Sequence, residues 1–203
     1  MKIKGIALLL SGFCILVFIM QLVFPSTTGL ILLDQNSFSQ PWRFLTAIFA
    51  HGGAGHLLYN IFALALFGSI LEYNIGSRKF ALIFFVTGIV ANIIAVNFYP
   101  SSLGASGAIF GVIGAIVVLR PSLVVWAFGL PMPMFVAGIL WAAGDIIGIF
   151  VPSNVGNIAH LAGMAIGLLF GAVYRNWRYQ TRPPTRAYIN ENHIRDWENR
   201  YLS

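Results

Sequence analysis

Composition, hydropathy and the placement of basic residues predict an all-α polytopic membrane protein, a six-helix transmembrane bundle with both termini cytoplasmic. Of 203 residues, 58% are hydrophobic and only 9% are charged; a soluble domain of that size needs far more polar surface. Six apolar stretches, each ending at charges or at Pro, Gly and Ser clusters, lie at about 6–24, 57–71, 80–98, 106–119, 132–150 and 158–174. Threading them from an inside N-terminus gathers 11 of the 12 Lys and Arg on one side and leaves Arg43 opposite. The positive-inside rule puts that side in the cytoplasm.

The net charge of +6 therefore reports topology and excludes a nucleic-acid partner, because the basic residues sort by loop and do not build one soluble face. Membrane lipid is the partner it implies, with anionic headgroups within reach of the basic tail. The chain reads as one membrane domain over 1–174 and a polar, basic cytoplasmic tail over 175–203. Its expected location is the cell membrane, as a multi-pass protein.

The first stretch follows Lys2 and Lys4 but is long enough to span and has no A-x-A-like site after it, so it reads as a retained anchor. Cys14, the single cysteine, lies inside it, and no intrachain disulfide can form. The connection over about 25–50 is too apolar for a freely solvated loop. It belongs in the interface, with Trp42 and Arg43 near headgroup level.

The second stretch opens HGGAGHLLYN, placing His51, His56 and Asn60 at its outer end. The fourth runs from Ser106 to Leu119, 14 residues, or about 21 Å against a hydrocarbon core of about 30 Å. With Arg120 at the inner boundary, Ser106 lies on the order of 10 Å below the outer surface, where water must reach it through a cavity. In the fifth stretch, Gly138, Gly144 and Gly148 soften or thin the helix, as lateral entry of another helix would require. Asp145 lies in its outer part and reads as a helix-end or interhelical hydrogen-bonding group, the acid of a triad being the alternative. The sixth opens NIAHLAG, with His160 in its first turn or so. The tail holds Pro183-Pro184 and a short helix around Glu191 to Arg200.

Spacing then brings polar groups together. His56 and Asn60 stand at i and i+4 and share a helix face. Ala159, Gly163, Gly167 and Gly171 form a small-residue stripe that permits close helix approach, with His160 on or beside it. Gly107, Gly111, Ala108 and Ala115 give the fourth helix a matching surface that adjoins Ser106. Phe110, one turn below the serine, can pack under an imidazole. A serine hydroxyl is a poor nucleophile until a base such as neutral histidine removes its proton. Candidate oxyanion donors are the N-terminal N–H groups of the fourth helix, the Asn60 amide and the His56 imidazole.

HxxxN at His56 to Asn60, GASG at Gly104 to Gly107 and AHLAGxxxG at Ala159 to Gly167 resemble the rhomboid family of intramembrane serine proteases. Trp42-Arg43, FxH at 49–51 and GSxxE at 68–72 match as well, so the similarity covers about residues 40–172. The resemblance implies a rhomboid-like bundle, a Ser106/His160 dyad without an obligatory acid, and an oxyanion site using His56 and Asn60. It also implies substrates that are single-span or other transmembrane proteins, cut near the outer ends of their helices. Phe110 stands where members of the family often have Tyr; ring stacking survives and a hydroxyl is lost. Gly104, Gly107, Gly163 and His51 are supporting positions, His51 as a brace for the outer loop.

No cofactor is needed for this chemistry. The three outer histidines lack a carboxylate or thiolate at metal-ligand spacing, so no metal is expected. A non-catalytic relative would lack the serine or the histidine, and both are here. A small transporter would show inverted repeats, and none is seen.

Overall fold

The computed structural model describes residues 5–151, 155–181 and 191–201; Lys2, Lys4, Arg182, Pro183-Pro184 and Arg186 lie outside the described residues. Helix α1 (Ile6–Val23) is followed by α2 (Ser26–Ile31), a 3-10 turn (Gln35–Phe38) and α3 (Arg43–Thr46). Helices α4 (Ala54–Ala63) and α5 (Ser69–Ile75) join through a π-helical turn, Leu64–Gly68, into one rod. Next come α6 (Ser77–Ala95), α7 (Ser106–Leu119), α8 (Met134–Ile149), α9 (Asn157–Thr181) and α10 (Glu191–Tyr201).

Among the described residues, four helical segments are long and apolar enough to cross a membrane: Ile6–Val23, Ala54–Ile75, Ser77–Ala95 and Asn157–Arg175. Helices α7 and α8 are shorter and apolar. All six follow the predicted stretches closely. The second begins earlier than its hydropathy suggests, at Ala54, because Gly53 supplies the break in an extended conformation. His51 therefore precedes the helix, which corrects its expected place inside it.

Helix α7 is the centre of the bundle. Nine of its residues are buried, from Gly107 to Ile116. A side chain at Gly163 would strike the carbonyl of Gly107, one at Gly167 the carbonyl of Gly111, and one at Gly171 would fall 2.8 Å from Val118. On its other flank, a methyl at Gly107 would lie 2.7 Å from the Ala91 Cβ of α6. Between helices in lipid the hydrophobic drive is weak, so this backbone proximity, with its dispersion contacts, is what holds α6, α7 and α9 as a slab.

Helix α1 packs against the rod formed by α4, the π turn and α5; Ala7 lies where a Gly68 side chain would be. Glu72 of α5 accepts the Ile6 and Ala7 amides at 3.1 and 3.0 Å and the Ser77 hydroxyl at 2.6 Å. A carboxylate thus sits on the unpaired N–H groups that open α1.

Strands were not expected in an all-α chain, yet two small pairs form. β1 (Leu33–Asp34) pairs antiparallel with β2 (Ser101–Ser102), tying the long outer connection to the one before α7. β3 (Val124–Ala127) and β4 (Leu130–Pro133) make a hairpin between α7 and α8. Phe128 and Gly129 turn it with φ of 54° and 77°, as tight hairpin turns demand. Trp42 is exposed, whereas Arg43 is buried and turned inward, donating to the Leu32 carbonyl at 2.9 Å and to Asp34 at 3.3 Å.

Of the three glycines of α8, two serve packing. A side chain at Gly138 would meet Val117 and one at Gly148 would meet Asn157, while Gly144 faces open space.

Candidate active site

The turn into α7 sets the serine. Gly104 has φ +125°, a conformation L side chains rarely adopt, and its N–H donates to the Ala47 carbonyl at 2.8 Å. A Cβ there would fall 2.7 Å from His56 Cε1 and 2.8 Å from Nε2, so the bare glycine makes room for the imidazole. Ala105 is the N-cap and Ser106 the first residue of the helix. Ser106 is therefore not the capping residue, and its hydroxyl is available to another partner.

That partner comes from α9. His160 is 8% exposed, and its Nε2 lies 2.8 Å from Ser106 Oγ. Its ring stacks on Phe110 with centroids 4.3 Å apart and planes 8° from parallel, a contact worth about 0.5–1.5 kcal/mol. Its Nδ1 lies 3.0 Å from Asp145 Oδ1 on α8. Asp145 thus makes the interhelical hydrogen bond expected of it, and the partner is His160. A carboxylate only accepts, so Nδ1 carries the proton and Nε2 is left to accept from the serine O–H. Behind the base, the Tyr99 hydroxyl accepts the Ile158 amide at 3.0 Å, satisfying one donor at the start of α9.

His56 reaches the site across Gly104. Asn60, one turn below, is buried; its Nδ2 donates to the His56 carbonyl at 2.8 Å, and its Oδ1 has no partner among the described residues. One amide hydrogen of Asn60 therefore remains uncommitted. His51 is buried in the loop before α4, donating from Nδ1 to the Phe49 carbonyl at 3.0 Å, with its ring edge-on to His56 at 5.1 Å. Gln21 of α1 brackets the His51 peptide, accepting its N–H at 3.0 Å and donating to its carbonyl at 3.2 Å. Burial, then the neighbouring His56, pushes the His51 imidazole down to about 4, against a raising effect of the Phe49 carbonyl; His51 is neutral near pH 7.

Ser106, His160, Phe110 and Asp145 are thus in direct contact, with Gly107 and Gly163 closing the helix approach and Gly104, His56 and His51 lining the neighbouring turn. Gln21 was not singled out, although a lone amide in an otherwise apolar span is a signal in itself. A hydroxyl hydrogen-bonded to an imidazole, itself oriented from behind, is an arrangement able to take a proton from Ser106.

A family model for the Rhomboid domain matches residues 39–177. The chain is 27% identical to Rhomboid protease GlpG of Haemophilus influenzae over 176 residues, covering 83% of this chain and 90% of that protein. It is 38% identical over 137 residues to Rhomboid protease GluP of Bacillus subtilis, covering 64% of this chain and 25% of that one. It is 31% identical over 134 residues to RHOMBOID-like protein 4 of Arabidopsis thaliana, covering 65% and 34%. GlpG apart, the match spans from a quarter to about a third of these relatives.

Proposed function

The chain belongs to the rhomboid family, and on that footing we propose that it is an intramembrane serine endopeptidase that cleaves transmembrane proteins near the outer ends of their helices. Its apolar helices make six crossings of the cell membrane, with both termini cytoplasmic. Residues 1–174 form the membrane domain and 175–203 the tail. The eleven basic residues that sort to one side support this topology.

The observation that carries the catalytic reading is the 2.8 Å hydrogen bond between Ser106 Oγ and His160 Nε2. A substrate helix enters from lipid, unwinds locally and presents an extended peptide bond, since amides inside a helix are otherwise engaged. Oγ attacks the carbonyl carbon while Nε2 takes its proton. The oxyanion is held by His56, Asn60 and the first N–H groups of α7, each donor worth about 3 kcal/mol. His160 then protonates the leaving amine, and water resolves the acyl-enzyme. Phe110 holds the ring plane throughout. The short α7 supports this reading too, because a helix of 14 residues leaves the serine below the outer surface.

Purified full-length protein in detergent, incubated with a single-span substrate, tests it. Wild type is expected to cleave, and Ser106→Ala and His160→Ala to lose activity by on the order of 10⁵-fold or more. A fluorophosphonate probe should label Ser106 in wild type and not in His160→Ala. Cleavage undiminished in either variant overturns the assignment.

A further inference from the structure

We infer that Asp145 is a positioning residue for His160, so that the protease runs on a Ser–His–Asp triad assembled from α7, α9 and α8; this rests on the reading of Ser106 and His160 above. Three observations carry it. Asp145 Oδ1 lies 3.0 Å from the ring nitrogen opposite the one that faces the serine. The carboxylate is 6% exposed. Its other oxygen, Oδ2, is buried with no hydrogen-bond partner among the described residues.

A carboxylate buried against one neutral partner is a costly way to join two helices, because desolvation outweighs a single neutral hydrogen bond. Helix α8 has cheaper anchors on either side, at Gly138 against Val117 and at Gly148 against Asn157. The placement becomes favourable when the imidazole acquires a positive charge, as it does while accepting the serine proton. In a site screened from water that charge interacts strongly with the carboxylate.

Phe110 fixes the plane of the ring but leaves its two flips equivalent. Asp145 selects between them by accepting Nδ1–H, which leaves Nε2 basic toward Oγ. As Oγ bonds to the carbonyl carbon, its proton moves to Nε2. The imidazolium then holds a proton on each nitrogen, and Nδ1–H stays on His160 while Asp145 remains a carboxylate. The Nε2 proton leaves with the amine as the C–N bond breaks. The titratable groups facing His160 are Asp145 on α8 and His56 on α4.

The 203-residue chain, a single-span substrate and the variants Asp145→Asn, Ser106→Ala and His160→Ala supply the test. With Asp145→Asn, kcat is expected to fall by on the order of 10²- to 10⁴-fold, while KM changes by less than about threefold. In imidazole-labelled protein, His160 should give a far-downfield N–H proton resonance in wild type and in Ser106→Ala, lost in Asp145→Asn and in His160→Ala. The resonance needs no turnover, and its absence from wild type overturns the inference whether or not the Asp145 variant folds. If wild type cleaves, Ser106→Ala does not, and Asp145→Asn keeps kcat within about threefold of wild type, the aspartate is dispensable and the dyad stands alone. If Ser106→Ala cleaves like wild type, the parent reading fails and takes this one with it.

Discussion

Helices α7 and α8 are neighbours of similar length and hydrophobicity, and they are held in opposite ways. Nearly every residue of α7 from Gly107 to Ile116 is buried, and its glycines touch backbone on α9 and side chains on α6. Only Met134, Ala137, Gly138 and Asp145 are buried on α8, whose Ile139, Ile146, Ile147 and neighbouring Phe150 are exposed. Ser106 and His160 are thus set by a rigid seam, and Asp145 arrives on a helix with far less packing around it. Geometry that must hold within a few tenths of an ångström belongs in the seam. An element that has to let another helix pass belongs outside it.

The sharpest way to break this contrast is Gly163→Ala. Its methyl group meets the Gly107 carbonyl, which as backbone cannot rotate away. A loss of about 3 kcal/mol or more is expected, read as a lowered midpoint in denaturant titration, together with loss of cleavage as Ser106 and His160 are levered apart. Phe110→Ala is expected to act on the site without opening the seam. Removing the stacked ring should cut kcat by roughly tenfold, the equivalent of about 1.4 kcal/mol, and Phe110→Tyr should restore it. The smallest effect belongs to Gly144→Ala on α8, where a methyl meets nothing within 4 Å. Stability there should stay level or rise by up to about 1 kcal/mol. A large destabilisation at Gly144 would mean that α8 is packed as tightly as α7, and the contrast would go.

Much of this architecture is legible in the sequence, for identifiable reasons. The six apolar helices emerge because lipid-compatible runs end sharply at charges and at Pro and Gly. The seam emerges because a four-residue recurrence of small side chains on α9 has few other uses. The β3–β4 hairpin does not, since Val124 to Pro133 is apolar throughout and hydropathy cannot separate a hairpin from a loop or a helix start. Arg43 reads as an interfacial anchor because sequence gives depth but no direction, and here Asp34 and the Leu32 carbonyl turn it inward. The partner of Asp145 stays open in the sequence, which allows either an interhelical bond elsewhere or the acid of a triad. It depends on the rotation of α8 about its own axis, which the sparse glycines of that helix leave open. Gln21 stands out as a lone amide, but its target is hidden for a related reason, as it is the peptide of His51 and backbone leaves no trace in composition.

The separation of Ser106 and His160 by 54 residues in the chain has a consequence for biosynthesis. Chains emerge from the ribosome N-terminus first, so α7 reaches the bilayer before the helix carrying the imidazole can dock beside it. The alcohol is inert during that interval. On the proposed function, nascent protein therefore meets the crowded insertion machinery, dense with other newly made spans, without the means to cut them, and competence begins when the last apolar helix slides home.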